Sequence, residues 1–255
     1  MTGEWREVGH QVFVRRHQPF DVNAGLVVGS QRCLVIDTLS TAAQAAELIR
    51  AIRTVTSLPW AVVNTHAHFD HCFGNATFRP AEFWAHERCI EYLRGAGGRI
   101  QRDSARELAP ELAADLAAVH IDPADRAVTR EQAVDLGDRA VQLHHLGRGH
   151  TDHDLIVTAD DVLFTGDLIE QGAPPSFEDS YPLQWPGTAA ALLPLAAGAV
   201  VPGHGDVVDR AFVESQAEEL QLIADHALGR TDQLPPYPAE VLRTALERAA
   251  TERFR

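Results

Sequence analysis

The sequence predicts an α/β fold, and three observations carry that prediction. Short apolar, β-branched runs recur along the 255-residue chain. Ala-rich stretches with helical spacing alternate with them or follow them. His and Asp residues collect just beyond the ends of several runs, in loops containing Gly, which is where α/β proteins place their chemistry.

In chain order, residues 11–14, 24–28 and 33–36 read as early strands separated by turn residues, and Asp37 ends the third. Residues 41–54 read as an Ala-rich helix, with Ser40 or Thr41 as N-cap and Glu47 followed by Arg50 as an i, i+3 pair. Trp60-Ala61-Val62-Val63 follows Pro59 and reads as a buried strand. A strand at 82–85 precedes a helix at 87–94 that Gly95 stops. Residues 100–119 form an Ala-rich helix with alternating charge signs, either a solvated surface helix or a lid over a cleft. Strands return at 140–146, 155–158, 162–165 and 199–201. Between them, residues 172–186 are rich in Pro and aromatics and too long for a passive connector. Amphipathic helices at 211–229 and 238–253 are expected to pack on the outside.

Composition is that of a globular chain, 45% hydrophobic, and the length suits one hydrophobic core, so 1–255 is expected to be a single domain. No repeat, low-complexity tract or linker interrupts it. All 22 basic residues are Arg, and the formal net charge is −14. That balance argues against nucleic acid or another polyanion as partner, although a local Arg cluster can receive a small anion. The N-terminal residues lack an apolar signal-like core, and no stretch approaches the roughly 20 apolar residues that span a bilayer. A cytoplasmic protein without a membrane partner is therefore expected. Cys33, Cys72 and Cys89 are unpatterned, as reduced buried thiols are.

The most informative segment is His66-Ala67-His68-Phe69-Asp70-His71, four metal-capable side chains in six positions directly after the strand at 60–63. Imidazole and carboxylate together suit Zn²⁺ or a similar first-row ion. Three further run ends supply the same residue types: Gly147-Arg148-Gly149-His150-Thr151, Gly166-Asp167 and Gly203-His204-Gly205. Glycine permits the backbone conformations and close approach that a metal loop needs.

Together with Asp37-Thr38, these motifs resemble those of the metallo-β-lactamase superfamily in order and spacing, over nearly the whole chain. The resemblance implies a four-layer αββα sandwich with the site along one edge. It implies that His66, His68 and His150 hold one metal, that Asp70, His71 and His204 hold a second, and that Asp167 bridges both. Zinc is the expected pair, iron or manganese the alternatives. Two such ions, roughly 3.5–4 Å apart, can share a hydroxide and lower the pKa of its parent water, supplying the nucleophile for an acyl carbon. Asp70 would also orient that nucleophile and shuttle its proton. Asp37 and Thr65 would fix imidazole orientation, and His153 would be a hydrogen-bonded neighbour of the ligands. Cys72 is expected to face the core, and His144 and His145 to point to opposite faces of their strand. His10, His17, His86, His120 and His226 have no motif context.

Substrate is narrowed by what is missing. Thr65 to His71 with Gly74-Asn75 resembles thioester hydrolases of the glyoxalase II type, but their glutathione site relies on basic residues including Lys, and this chain has no Lys. A β-lactamase would be exported and often uses a Lys for the substrate carboxylate. Quorum-sensing lactonases carry a Tyr shortly after the bridging Asp, where this chain has Leu168, Ile169 and Glu170. The expected activity is hydrolysis of an ester, thioester, lactone or related acyl bond of a small molecule. The alternatives are an iron-dependent oxidoreductase resembling persulfide dioxygenases, against which the presence of both His71 and His204 argues, and a metal-stabilised binding module. Phe177, Tyr181 and Trp185 are expected to form apolar substrate walls.

Overall fold

The computed structural model describes residues 3–253. Its first sheet follows sequence order: β1 (Arg6–Gly9), β2 (Val12–His17), β3 (Val22–Val28), β4 (Cys33–Ile36), β5 (Trp60–Val63), β6 (Glu82–His86) and β7 (Arg126–Val128). Tight turns make β1 to β4 antiparallel. Crossovers containing helices make β4 to β7 parallel. The second sheet holds β8 (Glu131–Asp135), β9 (Ala140–His144), β10 (Ile156–Ala159), β11 (Val162–Gly166) and β12 (Val200–Pro202). It is antiparallel except where β11 meets β12.

The helices are α1 (Ala42–Val55), α2 (Phe69–Cys72), α3 (Glu87–Arg94), α4 (Gly97–Leu108), α5 (Ala113–Ala118), α6 (Trp185–Ala190), α7 (Arg210–Ala227) and α8 (Ala239–Glu252). Strand alternation sorts the apolar side chains into layers. Leu34 and Ile36 of β4 face Val141, Leu143, Val157 and Phe164 of the other sheet, forming the central core. Cys33 and Val35 point the opposite way, onto Leu48 and Ile52 of α1. Ile156 and Leu163 leave the second sheet towards Val213, Leu220 and Ile223 of α7 and Ala245 of α8. The result is the αββα sandwich that the resemblance implies. No helix among the described residues is long and apolar enough to cross a membrane.

Several expectations are corrected in detail. The helix expected over 100–119 is two helices, because Pro110 has no N–H to continue the ladder and opens a short 3-10 turn, Pro110–Leu112, between α4 and α5. Glu47 does not pair with Arg50; Arg15 of β2 reaches it with two parallel hydrogen bonds of 2.7 Å each, a fork that a helix neighbour cannot match. Thr41, not Ser40, caps α1, its hydroxyl accepting from the Gln44 N–H. β1, β7 and β8 are short, largely exposed strands without an apolar run to announce them. Helix α6 begins inside the segment expected to be irregular, with Pro186 in its first turn.

Gly74-Asn75 serves this architecture. Asn75 accepts from the Thr38 hydroxyl and the Asn64 amide through Oδ1, and donates through Nδ2 to Asn64 Oδ1 and the Asp122 carbonyl. It thereby ties the ends of β4 and β5 to the loop before β7. Gly74 lies against the Thr38 carbonyl so closely that a methyl group there would overlap the backbone oxygen. Gly74→Ala is expected to lower unfolding free energy by about 1–3 kcal/mol, the usual cost of overpacking. Thermal denaturation of metal-free protein measures it, and an unchanged midpoint rejects the packing role.

Candidate metal centre

Each ligand-type residue sits where a strand stops. The β5 chain leaves the first sheet at Asn64, and the next residues place His66 and His68 in a loop and Asp70 and His71 on the single turn of α2. The second sheet sends His150 from the loop after β9, Asp167 from the end of β11 and His204 from the end of β12. Backbone hydrogen bonds lock the two sheets together at this rim, from Leu155 N–H to Thr65 O at 2.7 Å and from Asn23 N–H to Gly203 O at 2.8 Å. Gly203 is required by proximity, since a Cβ there would run into the Asp167 carboxylate.

Two ligand groups result, one of His66, His68, His150 and Asp167, the other of Asp70, His71 and His204. Asp167 stands between them. Its Oδ2 lies 3.5 Å from both His66 Nε2 and His150 Nε2 and 3.3 Å from His204 Nε2, and its Oδ1 lies 3.2 Å from His71 Nε2. Asp70 Oδ2 is 3.5 Å from His204 Nε2. Several of these atoms have no ordinary explanation. His66 Nε2 and Asp167 Oδ1 are buried without a hydrogen-bond partner. His150 Nε2 faces His68 Nδ1 at 2.9 Å, and His71 Nε2 faces His204 Nε2 at 3.3 Å. Lone pairs aimed at one another in this way repel unless a cation or proton lies between them, so the donor set fits divalent ions with nitrogen and oxygen ligands.

The far nitrogens of four imidazoles are held by partners. His71 Nδ1 is 2.8 Å from Asp37 Oδ2, His204 Nδ1 is 2.7 Å from the Phe20 carbonyl, and His66 Nδ1 is 3.0 Å from the Thr65 hydroxyl. That hydroxyl and the Thr65 N–H donate in turn to the Asp37 carboxylate, each at 2.8 Å. Asp37 thus meets His71 directly and His66 through Thr65. His68 Nε2 is 3.1 Å from Asp179 Oδ2, a partner that no motif announces. His153 accepts from the Ala67 N–H through Nε2 at 3.3 Å, which braces the loop between His66 and His68. Glu170, also outside the motifs, is buried with its carboxylate 3.9 Å from His150 Nδ1 and accepts from the Ser176 N–H. Cys72 points its thiol at the Ala67 carbonyl and belongs to neither ligand group.

Charges in the metal-free protein follow from this crowding. Burial pushes the imidazoles towards neutrality, and for His66 it prevails, with His71 adding to it. His150 falls to about 4, burial again leading. Burial is outweighed at His68 by Asp179 and at His204 by Asp167, which raise those imidazoles to about 9 and about 10. His71 is likewise raised, by Asp167 and Asp37 against burial. Burial, with Asp167 nearby, lifts Glu170 to about 8.

The centre opens into a cavity of about 410 Å³. The aromatic walls expected from Phe177, Tyr181 and Trp185 are corrected here, for none of the three lines it. Trp185 is 0% and Phe177 2% exposed; both pack into the core beneath α7, behind His150, and the indole N–H donates to the Leu168 carbonyl. Tyr181 lies under the Arg148 guanidinium. Buried aromatics here fasten the loop to the sandwich. Its polar residues Ser176, Glu178 and Asp179 are the ones that reach the cavity. Phe69, Tyr92 and, from α4, Ile100 and Leu108 line it as well, so the helix expected as surface or lid forms a wall.

The profile described as the metallo-beta-lactamase superfamily matches residues 17–204. Solved structures with the same fold include a metallo-beta-lactamase from Pontibacter korlensis, 19% identical with a TM-score of 0.69, covering 87% of this chain and 99% of that one. A metallo-beta-lactamase from Hirschia baltica is 17% identical with a TM-score of 0.66, covering 84% and 96%. One from Pseudomonas aeruginosa in a mono-zinc form is 18% identical with a TM-score of 0.66, covering 85% and 94%. A sequence comparison with curated proteins finds no match.

Two outcomes are expected. Phe177→Ala should cost about 3–5 kcal/mol of stability as a core truncation, with KM nearly unmoved; a shifted KM at constant stability would restore the aromatic wall. Because His68 and His204 are raised to about 9 and about 10, both are protonated at pH 7 in the metal-free fold. Their ion pairs stabilise that fold at low pH and are lost as pH rises through those values, whereas metal needs the neutral rings. Zinc binding should therefore release protons at pH 7 and tighten as pH rises. Calorimetry in buffers of different ionisation enthalpy reads the release, and identical heats in every buffer would contradict it.

Proposed function

Because the chain belongs to the metallo-beta-lactamase superfamily and is a metallo-hydrolase of it, we propose that it hydrolyses an ester, thioester, lactone or related acyl bond of a small molecule using a pair of zinc ions. The observation that carries the reading is Asp167, a buried carboxylate with one oxygen unpartnered and four imidazole nitrogens within 3.5 Å. His66, His68 and His150 would hold one ion, Asp70, His71 and His204 the other, with Asp167 shared. When bound, the pair would supply an acidified water and an electrophile for the acyl oxygen.

The remaining work falls to the chain itself. Asp37 and Asp179 accept from the far N–H groups of His71 and His68, which fixes the tautomers that direct a lone pair into the centre. Asp70 lines the cavity beside His204, in place to hold the attacking water and to take its proton as the acyl bond breaks. Phe69, Ile100 and Leu108 give the lining an apolar part against which the substrate can rest. Completeness of the second group, Asp70, His71 and His204, favours hydrolysis over single-iron oxidation. We read residues 1–255 as one catalytic domain, and three buried unpaired thiols suit a cytoplasmic, reducing setting.

Protein purified without added metal is expected to carry two zinc ions per chain by mass spectrometry and to hydrolyse members of an ester, thioester and lactone panel. Asp167→Ala should lose one ion and more than about 100-fold in activity, beyond the effect of groups that merely orient a ligand, while remaining folded. One iron per chain with oxygen consumption, or an Asp167→Ala protein with full metal content and normal turnover, would sink the assignment.

A further inference from the structure

The cavity walls differ in kind. One side is apolar: Ile100 and Leu108 of α4 are 56% and 66% exposed, two of the few large hydrophobic side chains left facing solvent among the described residues, and both line the cavity. They lie eight positions apart with Gln101 and Ser104 between them on the same face, so a whole stripe of α4 looks into the opening. Exposed apolar groups gathered at a cavity mouth mark a place where an apolar ligand group lies.

Another part of the lining is acidic. Glu178 is exposed, and Asp179 keeps 41% of its side chain accessible beside His68. No Arg lines the cavity and the chain has no Lys, so among the described residues the only lining side chains that can carry positive charge are the imidazoles of His68, His150 and His204. Arg148, the basic residue nearest in sequence to His150, is turned away over Tyr181.

We propose that the substrate is an amphiphilic acyl compound, apolar along one part and carrying an ammonium or similar cationic group on another, and that anionic counterparts are rejected. This rests on the hydrolytic reading above and adds to it the charge of the substrate. The cation sits against Glu178 and Asp179, and the apolar part lies along Ile100 and Leu108. Water adds across the acyl bond: its oxygen joins the carbonyl carbon, the bond to the leaving oxygen or sulfur breaks, one proton goes to that leaving atom, and the acid product loses the other.

Para-nitrophenyl esters of one chain length, ending in trimethylammonium, tert-butyl or carboxylate, separate the terms on the zinc-loaded protein. The kcat/KM of the cationic ester is expected to exceed that of the anionic one by at least about tenfold at low salt, with the neutral ester between, and the ratio should fall as salt screens the wall. Glu178→Gln should reduce the ratio several-fold, and Leu108→Ser should raise KM for long-chain esters relative to acetate. A ratio of one or below, or a ratio untouched by Glu178→Gln, overturns the proposal. If none of the three esters turns over, and none of the thioester and lactone panel does either, the hydrolytic reading fails on its own. Calorimetry of an aminoalkyl and a carboxyalkyl thiol of equal length then decides the charge question, with tighter binding of the carboxylate overturning it.

Discussion

Five imidazoles and two carboxylates brought within a few ångströms of one another at the rim of an apolar sandwich are the constraint that the rest of the molecule accommodates. Buried polar atoms without partners are costly, and His66 Nε2 and Asp167 Oδ1 have none within the protein. Such an arrangement survives only if surrounding structure holds it or a cation relieves it, so ion binding and folding stability share one free energy.

The holding is visible in the backbone. Asp37 occupies the left-handed region, with φ of 63°, an unfavourable conformation for a residue with a Cβ. Its N–H donates to the Val63 carbonyl, and its carboxylate receives the Thr65 N–H, the Thr65 hydroxyl and His71 Nδ1. One residue at the end of β4 therefore sets the path of the loop after β5 and the tilt of an imidazole beyond it. On the other sheet Gly203 performs the complementary task by leaving space, so that Asp167 can enter from β11 while His204 arrives from β12. Asn23 closes the seam, donating to the Pro202 and Gly205 carbonyls across the two sheets.

The ligand groups were readable from the chain because their chemistry is local: His66 to His71 lie within one loop and turn, and the later ligands each follow an apolar run. The central strands were readable for the same reason, as apolar, β-branched runs buried on both faces. What escaped was non-local or unpatterned. Asp179 meets His68 across 111 positions, and nothing in Phe177-Glu178-Asp179 distinguishes it from a solvated acid. Edge strands β1, β7 and β8 bury too little to leave a period. Phe177 and Trp185 were misassigned because an aromatic residue in a long loop has the same composition whether it meets a ligand or the core. Only the packing of α7 and of His150 decides that Trp185 is interior.

The loop between β11 and α6 has two duties that cannot be separated. Glu178 stands at the opening while the next residue, Asp179, steadies the imidazole of His68. Remodelling this loop to admit new compounds would therefore disturb the support of His68 at the same stroke, so that a change of taste at this wall is entangled with the hold on the proposed metal site.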